Sequence, residues 1–405
     1  MTYNFLVLGS GLQGSSAASI LAGTDLSNKI YLLDIDRRML EKVSRKIDSE
    51  KLIPLHGDIT KVDIPKDIDI TLNFLPPIYN DIALNLSLKL GSIYVDTASG
   101  PDKDLNPIDT NVLKVYKYVD RFRDKGISAI ISSGATPGLT NFMARLLYDM
   151  MDGVKEIRYY ACGYPLDIPI FYEPIAPYMD MLFASWNVET AFLYRATPPV
   201  IYRGRYIRRE IFGDPKYYDF GEPINKLLTV LVEHEEVVTT PIHLNIDYVE
   251  YRNPPDYLAY ALIKYGFTDM DRILDIDGVK VNPYKLLKKL LPKPGNKFLD
   301  DKYMDNPVEA HIERLVVEAV DGDKILRGSL DLEIPPIERE ERKRFYRLYG
   351  TTYIYVALPA IASGLYAYEQ GLKGVYAPEA FDPQVYIKYL ETLGYRPNIK
   401  IMEYT

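Results

Sequence analysis

The feature that most constrains this chain lies within its first 35 residues. Phe5–Leu8, an apolar run of strand length, passes directly into Gly9-Ser10-Gly11-Leu12-Gln13-Gly14 and then into a helix-compatible stretch, Ser16 to Leu21. Strand, glycine turn and helix in that order form the arrangement that binds a dinucleotide pyrophosphate. Gly9 permits the tight turn, Gly11 lets the backbone approach the phosphates, and Gly14 lets the helix pack on the strand. The helix N-terminus adds unpaired N–H groups and a positive dipole end. A glycine pattern alone is weak evidence, but a second apolar run, Ile30–Leu33, ends in Asp34. That acid falls about 20 residues beyond the turn, where the carboxylate that holds an adenosine ribose belongs. It favours NAD, because it bonds the ribose hydroxyls and repels a 2′-phosphate. NADP stays open, since Arg37 or Arg38 could bind a 2′-phosphate or stack on adenine.

The first third of the chain alternates apolar runs with helical patterns, which predicts an α/β, Rossmann-type doubly wound parallel sheet. Further strands are expected over Asp67–Phe74, Ser92–Val95 and Ile127–Ile131, with a less clear one at Leu52–Leu55. Helices are expected over Tyr79–Leu90, with Ile82, Leu86 and Leu90 on one face, and over Pro107–Lys125. Ligands of such sheets bind beyond the carboxyl ends of the strands. The rim so defined carries Gly9–Gly14, Asp34, Ile35, Arg37, Asp58, Asn73, Phe74, Leu75, Pro76, Asp96, Thr97, Ala98 and Ser99.

Around Gly134–Gly138 the character changes. A turn leads into the amphipathic stretch Leu139–Met150, and short alternating runs follow, including a hairpin of Ile312–Val320 with Lys324–Ile334. Residues 134–350 therefore read as an α+β domain with an antiparallel sheet, for substrate binding and dimerisation. Residues 1–133 form the nucleotide domain, joined by a C-terminal segment, 351–405.

Composition narrows the partners. The chain of 405 residues is 47% hydrophobic with a net charge of −8, ordinary globular values without the clustered basic domain of a nucleic-acid binder. The densest basic patch, Arg203, Arg205, Arg208 and Arg209, reads as a solvated hairpin edge before an anion site. Cys162 is the sole cysteine, so neither an intramolecular disulfide nor a cysteine zinc site can form. No metal is assigned: the four histidines lack ligand spacing, and Glu233-His234-Glu235-Glu236 reads as a solvated helix end. No secretory signal is visible, and Thr351–Tyr368, with Pro359 and four tyrosines, reads as a buried helix and not a membrane span. A soluble cytoplasmic protein is expected. Its 35 tyrosines, one cysteine and three glutamines point weakly to a hot habitat.

In order along the chain, several stretches carry a likeness: Gly9–Gly14, Leu72–Pro76, Tyr94–Ala98, Gly134–Asn141, the region from Gly163-Tyr164-Pro165 to Gly204, and the tail Gly371–Glu379. Together they resemble the saccharopine dehydrogenase-like family, whose members include saccharopine reductases, lysine 6-dehydrogenases and carboxynorspermidine or homospermidine-type enzymes. The likeness is good over the first ~150 and last ~55 residues and patchy between. Where family members often have Trp-Ser-x-Glu-Gly, this chain has Trp186-Asn187-Val188-Glu189-Thr190, and Tyr217–Lys302 matches nothing.

The resemblance implies hydride transfer between NAD(P) and a carbon bearing nitrogen, in an amino acid or related amine. It also implies a homodimer, and it places Trp186 beside the substrate. An amine can lose hydride only with its nitrogen lone pair free, so a polar group near the nicotinamide must hold and deprotonate it. Asp96 is the first candidate, or else a carboxylate that caps the following turn. Thr136 and Asn141, flanking Pro137-Gly138, could reach the nicotinamide amide or a substrate carboxylate, or else cap the helix from Leu139. Two other functions stay open: a carboxynorspermidine or homospermidine-type polyamine enzyme, and a non-catalytic dinucleotide-binding sensor or assembly protein.

Overall fold

The computed structural model describes residues 2–99, 108–165, 199–210, 212–255, 257–269, 271–290, 311–334 and 354–405. Two sheets organise them. The first holds β1 (Tyr3–Leu8), β2 (Ser27–Asp34), β3 (Leu52–His56), β4 (Ile70–Asn73), β5 (Ile93–Asp96), β6 (Ser128–Ile130) and, from the far end of the chain, β17 (Gly374–Tyr376). All pairs are parallel, in the order β17-β6-β5-β4-β1-β2-β3. The order reverses between β1 and β4, and the crevice at such a switch point is where ligands of open α/β sheets bind.

Crossover helices cover both faces, as parallel sheets require: α1 (Leu12–Ala22), α2 (Arg37–Ile47), α3 (Asn80–Leu90), α4 (Ile108–Tyr116) and α5 (Val119–Asp124). The expected single helix over 107–125 is therefore two, joined by a turn at Lys117-Tyr118. α3 lies where it was expected but is rotated. It buries Ala83, Leu84, Ser87 and Leu88, leaving Ile82 exposed and Leu86 and Leu90 half-buried. Its inward face thus alternates the small Ala83 and Ser87 with Leu84 and Leu88. α10 (Ala357–Glu369) crosses β4 and β5 so closely that a Cβ on Gly364 would come within 2.8 Å of Ile70.

The second sheet has nine strands: β7 (Glu156–Pro165), β8 (Pro199–Tyr202), β9 (Arg205–Arg208), β10 (Lys216–Asp219), β11 (Lys226–Leu231), β12 (Tyr248–Asn253), β15 (His311–Asp321), β16 (Lys324–Ile334) and β18 (Ile399–Tyr404). It is mixed, because β12 runs parallel to β7 while the other pairs are antiparallel. A small hairpin, β13 (Leu274–Ile276) with β14 (Val279–Val281), stands apart. β18 pairs with β16, so the final strand of the expected C-terminal segment leaves the nucleotide sheet for this one.

α6 (Leu139–Met150) joins the two sheets, and its Phe142, Met143 and Leu147 share one core with Tyr159, Leu315 and Val317 of the second sheet. The remaining helices are α7 (Glu236–His243), α8 (Tyr257–Lys264), α9 (Pro283–Leu290) and α11 (Pro383–Thr392). Among the described residues no helix is long and apolar enough to cross a membrane.

Candidate active site

The glycine turn meets each requirement placed on it. Gly9 has φ +91°, in the region that favours glycine, and a Cβ on Gly14 would lie 1.8 Å from the Gly9 carbonyl oxygen. Around Gly11, by contrast, a Cβ would meet no atom within 4 Å. α1 starts immediately after it, and no side chain caps that end. The turn therefore leaves open space at a helix N-terminus, which fits a pyrophosphate.

Asp34, at the end of β2, is held beside this turn. Its Oδ2 accepts from the Ser10 N–H at 2.6 Å and the Ser10 hydroxyl at 2.8 Å, and its Oδ1 accepts from the Asp36 N–H. Ile35 is 71% exposed on the same side, and Arg37 reaches His56 at 3.5 Å. Asp58 is tied to the N–H and hydroxyl of Thr60, and these bonds lower its pKa. The residues that fit a dinucleotide thus gather at one end of the rim.

Towards the other end, the buried Asn73 donates to the Asn80 amide oxygen and to the Tyr94 hydroxyl, and accepts from the Leu75 N–H. Phe74, Leu75 and Pro76 continue the rim as far as the turn before α3. Tyr94 donates to Asp96 Oδ2 at 3.0 Å, and the Ser132 N–H donates to Oδ1 at 2.9 Å. Asp96 is only 1% exposed; burial pushes its pKa up to about 7, aided by the charge of Glu235 and opposed by those two bonds. Its carboxyl thus ties β5 to the segment after β6 as well as standing at the rim. Thr97 and Ala98 lead on to Ser99, whose N–H donates to Glu235 Oε1 at 2.9 Å.

That contact introduces the part of the site that the sequence reading placed elsewhere. Glu233-His234-Glu235-Glu236 is not a solvated helix end. Glu233, Glu235 and Glu236 are 1%, 4% and 0% exposed, and the run packs against the rim at the start of α7. Carboxylates at a helix N-terminus are favoured by its dipole. Glu236 accepts from the hydroxyls of Thr136 at 3.0 Å and Thr140 at 2.6 Å, and its other oxygen meets His234 Nδ1. The His234 ring stacks on Tyr251, with centroids 4.0 Å apart, and the Tyr251 hydroxyl closes the circuit on Thr136 at 2.6 Å. Burial pulls the His234 pKa down, but Glu236, Glu235 and Glu313 outweigh it and raise the pKa above the ordinary value. Thr136 and His234 are the half-buried members of this wall.

The atoms of His234, Glu235 and Glu236 that could hold a metal ion lie within 4.8 Å of one another, but both glutamates are already engaged by Ser99, Thr136 and Thr140. Arg208, from the basic hairpin, pairs with Asp109 at 2.5 Å and with Glu233 at 3.5 Å, so it is not simply a solvated edge.

Of the two readings of Asn141, the structure realises the cap. Fully buried, it accepts from the Gly138 N–H at 2.6 Å, closing the turn that contains Pro137. Trp186 lies outside the described residues. The sequence carried one sign of the acidic wall: four charged or imidazole residues stand between Leu231-Val232 and Val237-Val238 with no lysine or arginine among them. A solvated helix end is usually flanked by polar residues.

No family model matches the chain. A carboxyaminopropylagmatine dehydrogenase from Synechocystis sp. is 21% identical over 330 residues, covering 72% of this chain and 73% of that protein. Among solved structures, saccharopine dehydrogenase (L-Glu forming) from Saccharomyces cerevisiae superposes with a TM-score of 0.65 at 14% identity, covering 99% of this chain and 100% of that one. Homospermidine synthase from Legionella pneumophila, in complex with NAD, gives 0.62 at 14% identity, covering 100% and 92%. The fold is that of these enzymes, consistent with the saccharopine dehydrogenase-like resemblance carried by the motifs.

Proposed function

We propose that the chain is an NAD(P)-dependent dehydrogenase that acts on the C–N bond of an amino acid or related amine. One observation carries this reading: the half-buried His234, backed by Glu236 and Tyr251, belongs to a wall bonded to Ser99 and Thr136 at the rim of the same sheet whose first strand ends in a glycine turn shaped for a dinucleotide. The dehydrogenases with the same fold support it.

In this reading Gly9–Gly14 and Asp34 hold the pyrophosphate and adenosine ribose, while Asn73–Pro76, Thr97–Ser99 and Pro137 line the nicotinamide end. Asp34 makes NAD the preferred cofactor. A bound nicotinamide would supply the hydride acceptor for the C–N carbon. The chain's own work is to receive an ammonium, remove its proton and keep water out. An arriving ammonium meets the field of Glu235, Glu236 and Asp96, which lowers the cost of desolvating it. His234, with Nδ1 on Glu236, offers Nε2 as the base, and Thr136 and Tyr251 fix the plane of the ring. Asp96 holds a proton near neutrality under the rim and responds to the charge on Glu235. Residues 1–133 with most of 351–405 form the nucleotide unit, and residues 134–350 with β18 form the substrate unit.

A second reading, a polyamine enzyme, is favoured by the same wall. Buried carboxylates suit a substrate whose polar groups are cationic better than one that also carries a carboxylate. The relative named for homospermidine lies on that side. Incubation with NAD and a panel of lysine, saccharopine, ornithine and diamines, read by NADH absorbance, tests both. Turnover of a diamine over the amino acids selects the second reading. NAD binding without turnover of any amine points to a non-catalytic dinucleotide-binding protein.

A further inference from the structure

One fully buried acid lies outside this chemistry. Glu379 sits in a short turn, Pro378–Ala380, between β17 and α11, and is 0% exposed. A single oxygen, Oε1, accepts three hydrogen bonds: from the Asn141 amide at 2.6 Å, the Thr239 hydroxyl at 2.7 Å and the Thr240 hydroxyl at 2.9 Å. The other oxygen, Oε2, is buried without a partner among the described residues. Burial pushes the carboxyl pKa up to about 7 against the pull of those bonds. A carboxyl surrounded by neutral donors, with one oxygen left over, is a costly group to bury for packing alone.

What it joins explains the cost. Asn141 belongs to the first turn of α6 and closes the Gly134–Gly138 turn that carries Thr136. Thr239 and Thr240 stand four residues after Glu235 and Glu236, so they share the face of α7 that those glutamates occupy. Holding Thr239 and Thr240 therefore sets the rotation of α7. That rotation aims Glu235 at Ser99 and Glu236 at Thr136 and His234. Thr240 is braced further by the Tyr159 hydroxyl at 2.6 Å.

We propose that Glu379 is a positioning residue: through Asn141, Thr239 and Thr240 it locks α7 against α6 and so holds Glu236 beside His234. The inference rests on the proposed site being the working one, but its test needs no substrate. Glu236, Glu235, Glu313 and Tyr251 are the groups that face His234. With Glu236 held in place, the ring titrates above an ordinary histidine.

The experiment follows the His234 ring by NMR in the full chain labelled with 15N-histidine, one of four histidines, across a pH series. Glu379→Gln keeps an oxygen acceptor for all three donors, and the His234 midpoint should stay at the wild-type value. Glu379→Ala removes the acceptor, and the midpoint should fall from its raised position towards the ordinary value of roughly 6.5. NAD affinity should stay within about twofold in both, because the bonds Glu379 makes do not reach Gly9–Gly14 or Asp34, to which the pyrophosphate and ribose are assigned. A thermal melt confirms that each variant is folded; if the alanine variant is not, Glu379→Asp, one methylene shorter, is read in its place. An unchanged His234 midpoint in the folded alanine or aspartate variant overturns the proposal, and so does a glutamine variant that behaves like alanine. If the midpoints shift as expected while no amine is oxidised, the positioning role stands and the dehydrogenase reading fails.

Discussion

The glycine turn permits a substitution that separates ligand binding from folding. At Gly11 a new side chain would meet no protein atom within 4 Å, and the backbone there, φ −67° and ψ −166°, is open to any L-residue. Gly11→Val therefore costs the fold only its share of the α1 N-cap, on the order of 1 kcal/mol. That corresponds to a drop in melting temperature of a few degrees or less, about 2–4 °C per kcal/mol for domains of about 150–250 residues. The isopropyl group would fill the space assigned to the pyrophosphate, and NAD affinity should fall by at least ~100-fold, about 2.7 kcal/mol. Gly14→Ala is the contrast. Its methyl would be forced to 1.8 Å from the Gly9 carbonyl oxygen, so the turn must move, costing about 1–3 kcal/mol or more. NADH fluorescence titration paired with thermal melts reads both variants. Gly11→Val binding NAD as the unmodified chain does would refute the assignment of that space.

Three further outcomes follow from the site and the core. Asp96→Asn keeps the shape of a group whose pKa stands at about 7 but can no longer carry its charge under the rim, and it should lower turnover by roughly 10- to 200-fold, the worth of about 1.5–3 kcal/mol, with little change in NAD affinity. Near-full turnover would leave Asp96 as a structural tie between β5 and Ser132. His243 is half-buried, accepts from the Tyr116 hydroxyl at 2.8 Å or the Ala377 N–H at 3.2 Å through Nε2, and has its pKa pulled down to about 4 by desolvation. A histidine kept neutral by the fold stabilises it above the unfolded value of roughly 6.5, and that contribution is lost as pH falls towards 4, about 3 kcal/mol in all. Denaturant melts between those pH values should show this slope, and His243→Gln should flatten it; an equal slope in the variant removes the assignment. Finally, among the described residues β18 ends its sheet with Ile401, Met402 and Tyr404 exposed, an invitation to strand pairing. Light scattering should report a homodimer, and a mass of 46.4 kDa at micromolar concentration would contradict it.

How far the sequence reveals this architecture depends on whether the signal is local. The nucleotide unit is legible because its constraints are: Gly9, Gly11 and Gly14 each answer a backbone requirement within one turn, and Asp34 ends a strand that pairs with its neighbour. The polar wall is not legible in that way. Glu236 becomes a buried acceptor only because Thr136, 100 residues earlier, is brought to it from one sheet, while Tyr251 of the other sheet bonds that Thr136. Read alone, three carboxylates at a helix start are most simply solvated, and the burial that overrides this is a property of the whole fold. The C-terminal strand shows the same limit. Ile399–Tyr404 has strand character, but nothing local says whether it extends the first sheet or, as found, the second.

Glu236 joins the polar wall to the proposed chemistry most directly. Once the amine panel has given a substrate, Glu236→Gln tests whether the wall between α6 and α7 is where that amine is received. The substitution keeps the size of the side chain while removing the charge that faces His234. The expected result is a loss in kcat/KM of roughly 10- to 200-fold, the worth of about 1.5–3 kcal/mol for a hydrogen bond to a charged group, with the Kd for NAD unchanged. Undiminished turnover of the same amine by the variant would contradict the placement of the substrate, whatever the cofactor does.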